Sequence, residues 1–211
     1  DRDVVTGPDG IIEVDGLQAG TYTVTEQTPD KYVQPASQQV EVFPGRVSSV
    51  SFSNILKKFT VEVKKVDAAT GEAQGEASLD GAVYGLYKGE TLLDTYTTEN
   101  GGRFTTKMYP CGTDFSLREI TPSEGYLLDK TVYPVGAEPG NFTLENNSIP
   151  ITVTEDVVLG SIAITKHTDR PADDGNSDQI EQPEEGAEFQ VYLASAGSYE
   201  NAGESERDIL R

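Results

Sequence analysis

The chain repeats itself, and the repeat is out of step with its ends. Gly20-Thr21-Tyr22-Thr23-Val24-Thr25-Glu26-Gln27-Thr28-Pro29 is echoed by Gly112-Thr113-Asp114-Phe115-Ser116-Leu117-Arg118-Glu119-Ile120-Thr121-Pro122, and each copy then reaches a tyrosine, Tyr32 or Tyr126. Val61-Glu62-Val63-Lys64-Lys65-Val66-Asp67 pairs with Ile162-Ala163-Ile164-Thr165-Lys166-His167-Thr168-Asp169. Asp80-Gly81-Ala82-Val83-Tyr84-Gly85-Leu86-Tyr87 pairs with Glu185-Gly186-Ala187-Glu188-Phe189-Gln190-Val191-Tyr192. Self-similarity at a fixed period marks a repeat array, and the step from Lys65 to Lys166 is about the ~100 residues of one small sandwich domain. The phasing predicts that residues 1–56 hold the later elements of one unit, 57–158 a whole unit, and 159–211 the opening elements of a third. Such a chain is a window on a longer array.

The repeated segments alternate with period two. Thr21–Glu26, Phe59–Val63, Phe115–Glu119 and Ser161–Lys166 each read as a half-buried strand, because residues i, i+2 and i+4 of a strand share a face. Helical periodicity is nearly absent, and Pro8-Asp9-Gly10, Asn100-Gly101-Gly102 and Pro139-Gly140-Asn141 supply turn chemistry between the runs. The expected fold is all-β: tandem Ig-like β-sandwiches, one complete and two partial. Alternating tyrosines such as Tyr84 and Tyr109 read as core and rim packing rather than a sugar-binding surface. Ser177–Glu185 and Ser195–Arg211 are polar and acidic and read as loops, the second with room for a short helix.

Composition removes several classes of function. With 36 Asp and Glu against 16 Lys and Arg, the net charge is -20, so the surface repels phosphate backbones and anionic membranes. Neither nucleic acid nor direct membrane contact is expected, and no apolar run approaches the roughly 18 residues that cross a bilayer. One histidine, His167, and one cysteine, Cys111, exclude an internal disulfide and a Cys-His zinc cluster. His167 lacks a G-x-S-x-G elbow to serve. Asp173, Asp174, Asp178, Glu181, Glu184 and Glu185 do not follow the calcium-loop spacing and read as a solvated loop. No metal and no cofactor is expected.

What remains is a set of ionisable residues on core faces. Val61, Val63 and Lys65 share a face, as do Ile162, Ile164 and Lys166; Tyr22, Val24 and Glu26 make another row, matched by Phe115, Leu117 and Glu119; Val50 and Phe52 lead to Asn54. An unpaired buried charge costs several kcal/mol, so one such residue reads as a solvated strand end, but recurrence at the same phase calls for a chemical reason. Desolvation favours neutral amines and neutral carboxyls, and a neutral amine beside a protonated carboxyl can attack an amide. A Lys-Asn amide bond then needs all three residue types.

In these residues the chain resembles the Cna-B (collagen-adhesin B-type, prealbumin-like, SpaA-like) repeats of Gram-positive surface adhesins and pilins. The carriers are Lys65-Val66-Asp67, Gly81-Ala82-Val83-Tyr84-Gly85-Leu86-Tyr87, Thr98-Glu99-Asn100-Gly101-Gly102, Phe115–Glu119 with Pro122 and Gly125-Tyr126, and Val50-Ser51-Phe52-Ser53-Asn54. The resemblance implies spontaneous Lys-Asn or Lys-Asp isopeptide bonds assisted by an acid. It assigns Lys65 and Lys166 as nucleophiles, Glu26 and Glu119 as assisting acids, and Asn54 as the acceptor of the first unit, whose lysine would lie upstream. The acid and acceptor for Lys166 would lie downstream.

The middle unit departs from the pattern. Where Asn54 precedes Lys65, the matching place before Lys166 holds Glu155, in Ile151-Thr152-Val153-Thr154-Glu155-Asp156. Glu155 shares the inward face and can ion-pair with Lys65, or Asp156 can enter through a bulge as acceptor. Asn146 and Asn147 serve only in a different strand register. Val132-Tyr133-Pro134 resembles a sortase-joined pilin motif, but Val135 stands where its lysine is expected.

The resemblance thus implies a stalk segment of an extracellular, cell-wall-anchored adhesin or pilin. Its partners would be neighbouring repeats, sortase-linked wall or pilus subunits, and a host matrix or glycan ligand met by a tip. It would not be an enzyme beyond a single-turnover self-modification. Two alternatives stand beside it: a module that binds matrix or glycan directly, and an accessory sandwich attached to a hydrolase.

Overall fold

The computed structural model of the chain describes residues 2–171, 179–183, 185–204 and 206–207. Its contacts divide it into two compact units, Asp1–Phe59 with Met108–Thr113 and Ala137–Asn147, and Thr60–Lys107 with Asp114–Gly136 and Ser148–Arg211.

The first unit holds β1 (Gly20–Val24), β2 (Tyr32–Val33), β3 (Gln38–Val42) and β4 (Ile55–Leu56), paired as two antiparallel ribbons, β1 with β3 and β2 with β4. Tyr22 stands opposite Val40 and Val24 opposite Gln38, so the apolar row of the sequence faces one way, yet all four are only half-buried. β5 (Lys58–Asp67) begins here and runs on into the second unit.

The second unit is built from β5 with β6 (Val83–Lys88), β7 (Thr91–Thr97) and β8 (Arg103–Thr105). After β9 (Tyr109–Pro110), which pairs with the start of β5 in the first unit, come β10 (Phe115–Thr121), β11 (Val132–Val135) and β12 (Ser148–Glu155). One sheet has the order β11-β10-β6-β7 and the other β12-β5-β8, the two layers of an all-β sandwich. Alternation decides which residues fill it: Val61, Val63 and Lys65 of β5, Tyr84 and Leu86 of β6, Leu117 of β10 and Val153 of β12 are all within 3% of full burial. Neighbouring strands run antiparallel except β5 and β12, the first and last of the sandwich, which lie side by side in parallel from Thr60 with Ser148 to Asp67 with Glu155.

Several expected elements take another form. Val50–Asn54 makes no ladder, with Val50 and Phe52 half-buried and Asn54 exposed. Ser161–Lys166, expected as a half-buried strand, also makes none; Ile162 and Ile164 are 73% and 50% exposed, and Lys166 is exposed rather than inward-facing. Glu185–Tyr192 forms no strand beyond a bridge from Tyr192 to Arg207. The common reason is that alternation names the face a strand would bury, whereas a strand forms only where a neighbour supplies hydrogen bonds. Conversely Gln179–Pro183, read as loop, is a strand, β14, paired with β13 (His167–Pro171). Ser195–Arg211 contains the end of a 3-10 turn, Ala194–Ala196, and no α-helix among its described residues. Asp173, Asp174, Asp178 and Glu184 lie outside the described residues.

Candidate functional site

Lys65 sits on the core face of β5 with no exposed side-chain surface. The pleat that buries Val61 and Val63 carries it inward, and the turn at Asn100-Gly101-Gly102 closes over its backbone. Lys65 N–H donates to Gly102 O at 2.7 Å, while Gly101 and Gly102 N–H donate to Asp80 Oδ1 at 2.8 and 2.7 Å. Gly102 has φ +80°, and a Cβ there would lie 2.8 Å from Lys65 O and 3.0 Å from Leu79 Cβ. Only glycine fits this approach.

Four elements converge on the ammonium. Glu155, at the end of β12 and 3% exposed, pairs with it through Oε2 and accepts a hydrogen bond from the Tyr84 hydroxyl of β6 through Oε1. Glu119 of β10 places Oε1 3.8 Å from Lys65 Nζ and accepts Asp129 N–H at 2.7 Å through Oε2. Lys65 Nζ donates to Ser123 Oγ at 2.7 Å and lies 4.6 Å from the centre of the Tyr126 ring. A desolvated ammonium needs several such partners, since removing one side of a buried pair costs about 3–5 kcal/mol.

The two carboxyls differ. Burial first, and then the Glu155 carboxylate beside it, push Glu119 up to about 8, against the Asp129 N–H and Lys65. Glu119 is therefore protonated at neutral pH, with the Glu155 carboxyl beside it to accept that proton in a hydrogen bond. Burial and the hydrogen bond to Glu155 hold the Tyr84 phenol far above its usual value, so it stays a donor. The centre thus combines a buried lysine, a carboxyl held by two donors, and a second carboxyl that burial keeps protonated.

Of the residues singled out in the sequence, the structure brings Lys65, Glu119 and Glu155 together. Asp156 is exposed, and the β5–β12 ladder runs without a bulge. It lines, with Glu155, Leu127–Thr131 and Thr154, an open groove of about 500 Å³. In the first unit Glu26 and Asn54 also meet: Asn54 Nδ2 donates to Glu26 Oε1 at 2.6 Å. Lys166 is exposed and donates to His167 O at 2.7 Å. Tyr84 and Ser123 were missed. Tyr84 could have been found, since it shares the inward face of Leu86; Ser123, in the turn after Pro122, carries no periodic signal.

Comparison with known proteins places the fold. The SpaA prealbumin-like fold domain matches residues 59–168, more than half of the chain. No curated protein matches. Among solved structures, the Bacillus anthracis TIE protein is similar at 23% identity and TM-score 0.60, over 72% of this chain and 28% of that one. Domains D2 and D3 of the major pilin SpaD from Corynebacterium diphtheriae align at 15% identity and TM-score 0.41, over 57% of each chain. BcpA, the major pilin subunit of Bacillus cereus, aligns at 14% and 0.36, over 68% of this chain and 41% of that one. This chain therefore spans well under half the length of the TIE protein. With its central sandwich covered by that match and its two sheets closed over a buried lysine, the chain belongs to the SpaA prealbumin-like domain family.

Proposed function

We propose that the chain is a stalk segment of an extracellular bacterial adhesin or pilin, in which the Lys65 centre ties the first and last strands of the sandwich. The observation that carries this is the placement of Lys65 and Glu155 on adjacent parallel strands, fully desolvated, with protonated Glu119 beside them. Tension applied at the start of β5 and the end of β12 shears a parallel ladder along its length. A tie between Lys65 and Glu155, which are 90 positions apart, takes everything between them out of the load path.

The tie we propose is an amide. Lys65 Nζ first passes one proton to Glu155 across their ion pair; the neutral Nζ then bonds to Glu155 Cδ, a Cδ–O bond breaks, and the hydroxyl leaves as water with a proton from Glu119, which recovers one from Nζ. The ammonium and carboxylate together hold the atoms of amide plus water, so no other reactant is consumed. Such a step runs once per chain and acts on no other molecule. Neighbouring repeats would be the direct partners, with wall or pilus linkage and a host matrix or glycan ligand belonging to other parts of a longer protein.

Intact mass followed by peptide mapping tests the tie. The expected result is a deficit of one water, with Lys65 and Glu155 recovered in one branched peptide that disappears in Glu119→Ala. A full mass with separate peptides would reduce the tie to an ion pair. The stalk role is tested separately by pulling the chain from its ends: unfolding at low force, with the whole middle sandwich extending, would overturn it.

A further inference from the structure

The side chains at the buried centre come from opposite sheets. Lys65 and Glu155 stand on β5 and β12 of one sheet, while Tyr84 and Glu119 stand directly opposite each other in the β6–β10 ladder of the other. Residues directly opposite in a ladder share a face, so one position of register sets a hydroxyl and a carboxyl side by side over Lys65 and Glu155. Tyr84 has no exposed surface, and its ring centre lies 5.7 Å from that of Phe104, which in turn stacks on Tyr96 at 5.4 Å. A phenol ring packed in this way has little room to turn, and its hydroxyl is held in one direction.

That direction divides the two oxygens of Glu155. Lys65 Nζ pairs with Oε2, and Tyr84 donates to Oε1. A proton passed from Nζ therefore arrives on Oε2, which becomes the hydroxyl that leaves as water, and Oε1 is left as the carbonyl oxygen. When the neutral Nζ bonds to Cδ, the negative charge that a carboxylate spreads over two oxygens gathers on Oε1 alone. A donor already aimed at that atom binds the transition state more strongly than the ground state, which is the condition for accelerating the step. Burial and the bond to Glu155 hold the phenol far above its usual value, so it keeps its proton and acts only as a donor.

We propose that Tyr84 is a catalytic residue of the tie: its hydroxyl stabilises the oxyanion that forms on Glu155 Oε1 and marks Oε1 as the oxygen the amide retains. Glu119, at the same register position, serves the departing Oε2, so the two neighbours divide one carboxyl between them. No proton leaves Tyr84, and Lys65 and Glu155 still give amide plus one water. The role rests on the amide reading of the centre.

The rate at which freshly made chain loses one water tests it. The chain is made by cell-free synthesis, synthesis is halted, and intact mass is sampled with time, with the urea midpoint of each variant measured alongside. Tyr84→Phe, which keeps the ring, should form the tie about a hundredfold or more slowly. Val61→Ala, a change of core packing at a position with no exposed surface, should form it at close to the wild-type rate despite a lower midpoint. Replacing Tyr84 by 3-fluorotyrosine keeps the hydroxyl and makes it a stronger donor, and the tie should form at least as fast as in wild type. Formation in Tyr84→Phe within about threefold of wild type overturns the role of Tyr84 and leaves the amide standing. Equal slowing in Val61→Ala, or slower formation with 3-fluorotyrosine, overturns it too. A wild-type mass that never falls by one water overturns the amide and the role of Tyr84 together.

Discussion

The row Phe115-Leu117-Glu119 and the row Tyr22-Val24-Glu26 are the same device in two settings. Each alternates along a strand and ends in a glutamate beside the side chain of a later segment, Glu155 in one case and Asn54 in the other. In the middle sandwich a second sheet covers the row, Leu117 has no exposed surface, and Glu119 is pushed up to about 8. In the first unit the same pattern lies half-buried, and Asn54 is exposed. A sequence row decides which way a carboxyl points; the layer opposite decides its chemistry, because desolvation depends on what covers the group.

The largest expected effect separates the two settings directly. Lys65→Met leaves two carboxyls in the core without their cation and should cost about 3–5 kcal/mol in chemical denaturation, whereas Asn54→Ala should cost less than about 0.5 kcal/mol. Equal costs would break the comparison.

pH sharpens it further. Glu119 rises from the ordinary 4.5 to about 8 on folding, so between those values the folded chain holds a proton that the unfolded chain releases. That contribution is fully present below about pH 4.5 and is lost as pH rises through about 8, by up to about tenfold in the folding constant per pH unit. The urea midpoint should therefore fall from pH 6 to about pH 9, and Glu119→Gln should flatten the slope. At the acid end the trend reverses, because hydrogen bonds hold Asp67 and Asp129 below the usual carboxylate value despite their burial.

Two smaller changes probe the walls of the centre. Gly102→Ala drives a Cβ to 2.8 Å from Lys65 O and should cost about 1–3 kcal/mol. Gly45→Ala in the first unit, where φ is also positive but nothing lies within 4 Å, should cost about 1 kcal/mol from backbone strain alone. Tyr84→Phe removes the donor to Glu155 Oε1 and should cost about 1–2 kcal/mol, while Tyr22→Phe, whose hydroxyl donates to Gln18 O in an exposed place, should change thermal stability little.

Much of the middle sandwich was legible because alternation and burial report the same thing there. Phe59, Val61, Val63 and Lys65 follow one face from sequence to core, and the repeat put Glu155 on the inward face while leaving Asp156 as the alternative partner. Lys166 shows the limit. Its row repeats that of Lys65 residue for residue in type, yet Ile162 and Ile164 are exposed, since nothing in a single strand's pattern states whether a partner strand is present. Ser123 was invisible for a different reason: it reaches Lys65 from a turn, across 58 positions, by a path that only the closed sandwich creates.

By itself, then, the sequence determined the strand character, the faces, the repeat and the residue types brought to the lysine, because side-chain direction in a strand follows from its two-residue period. Tertiary structure decided that β5 and β12 run in parallel side by side, that Glu155 rather than Asp156 meets Lys65, and that Glu119 keeps its proton. Those outcomes depend on distance and desolvation between elements far apart in the chain, quantities that no local pattern contains.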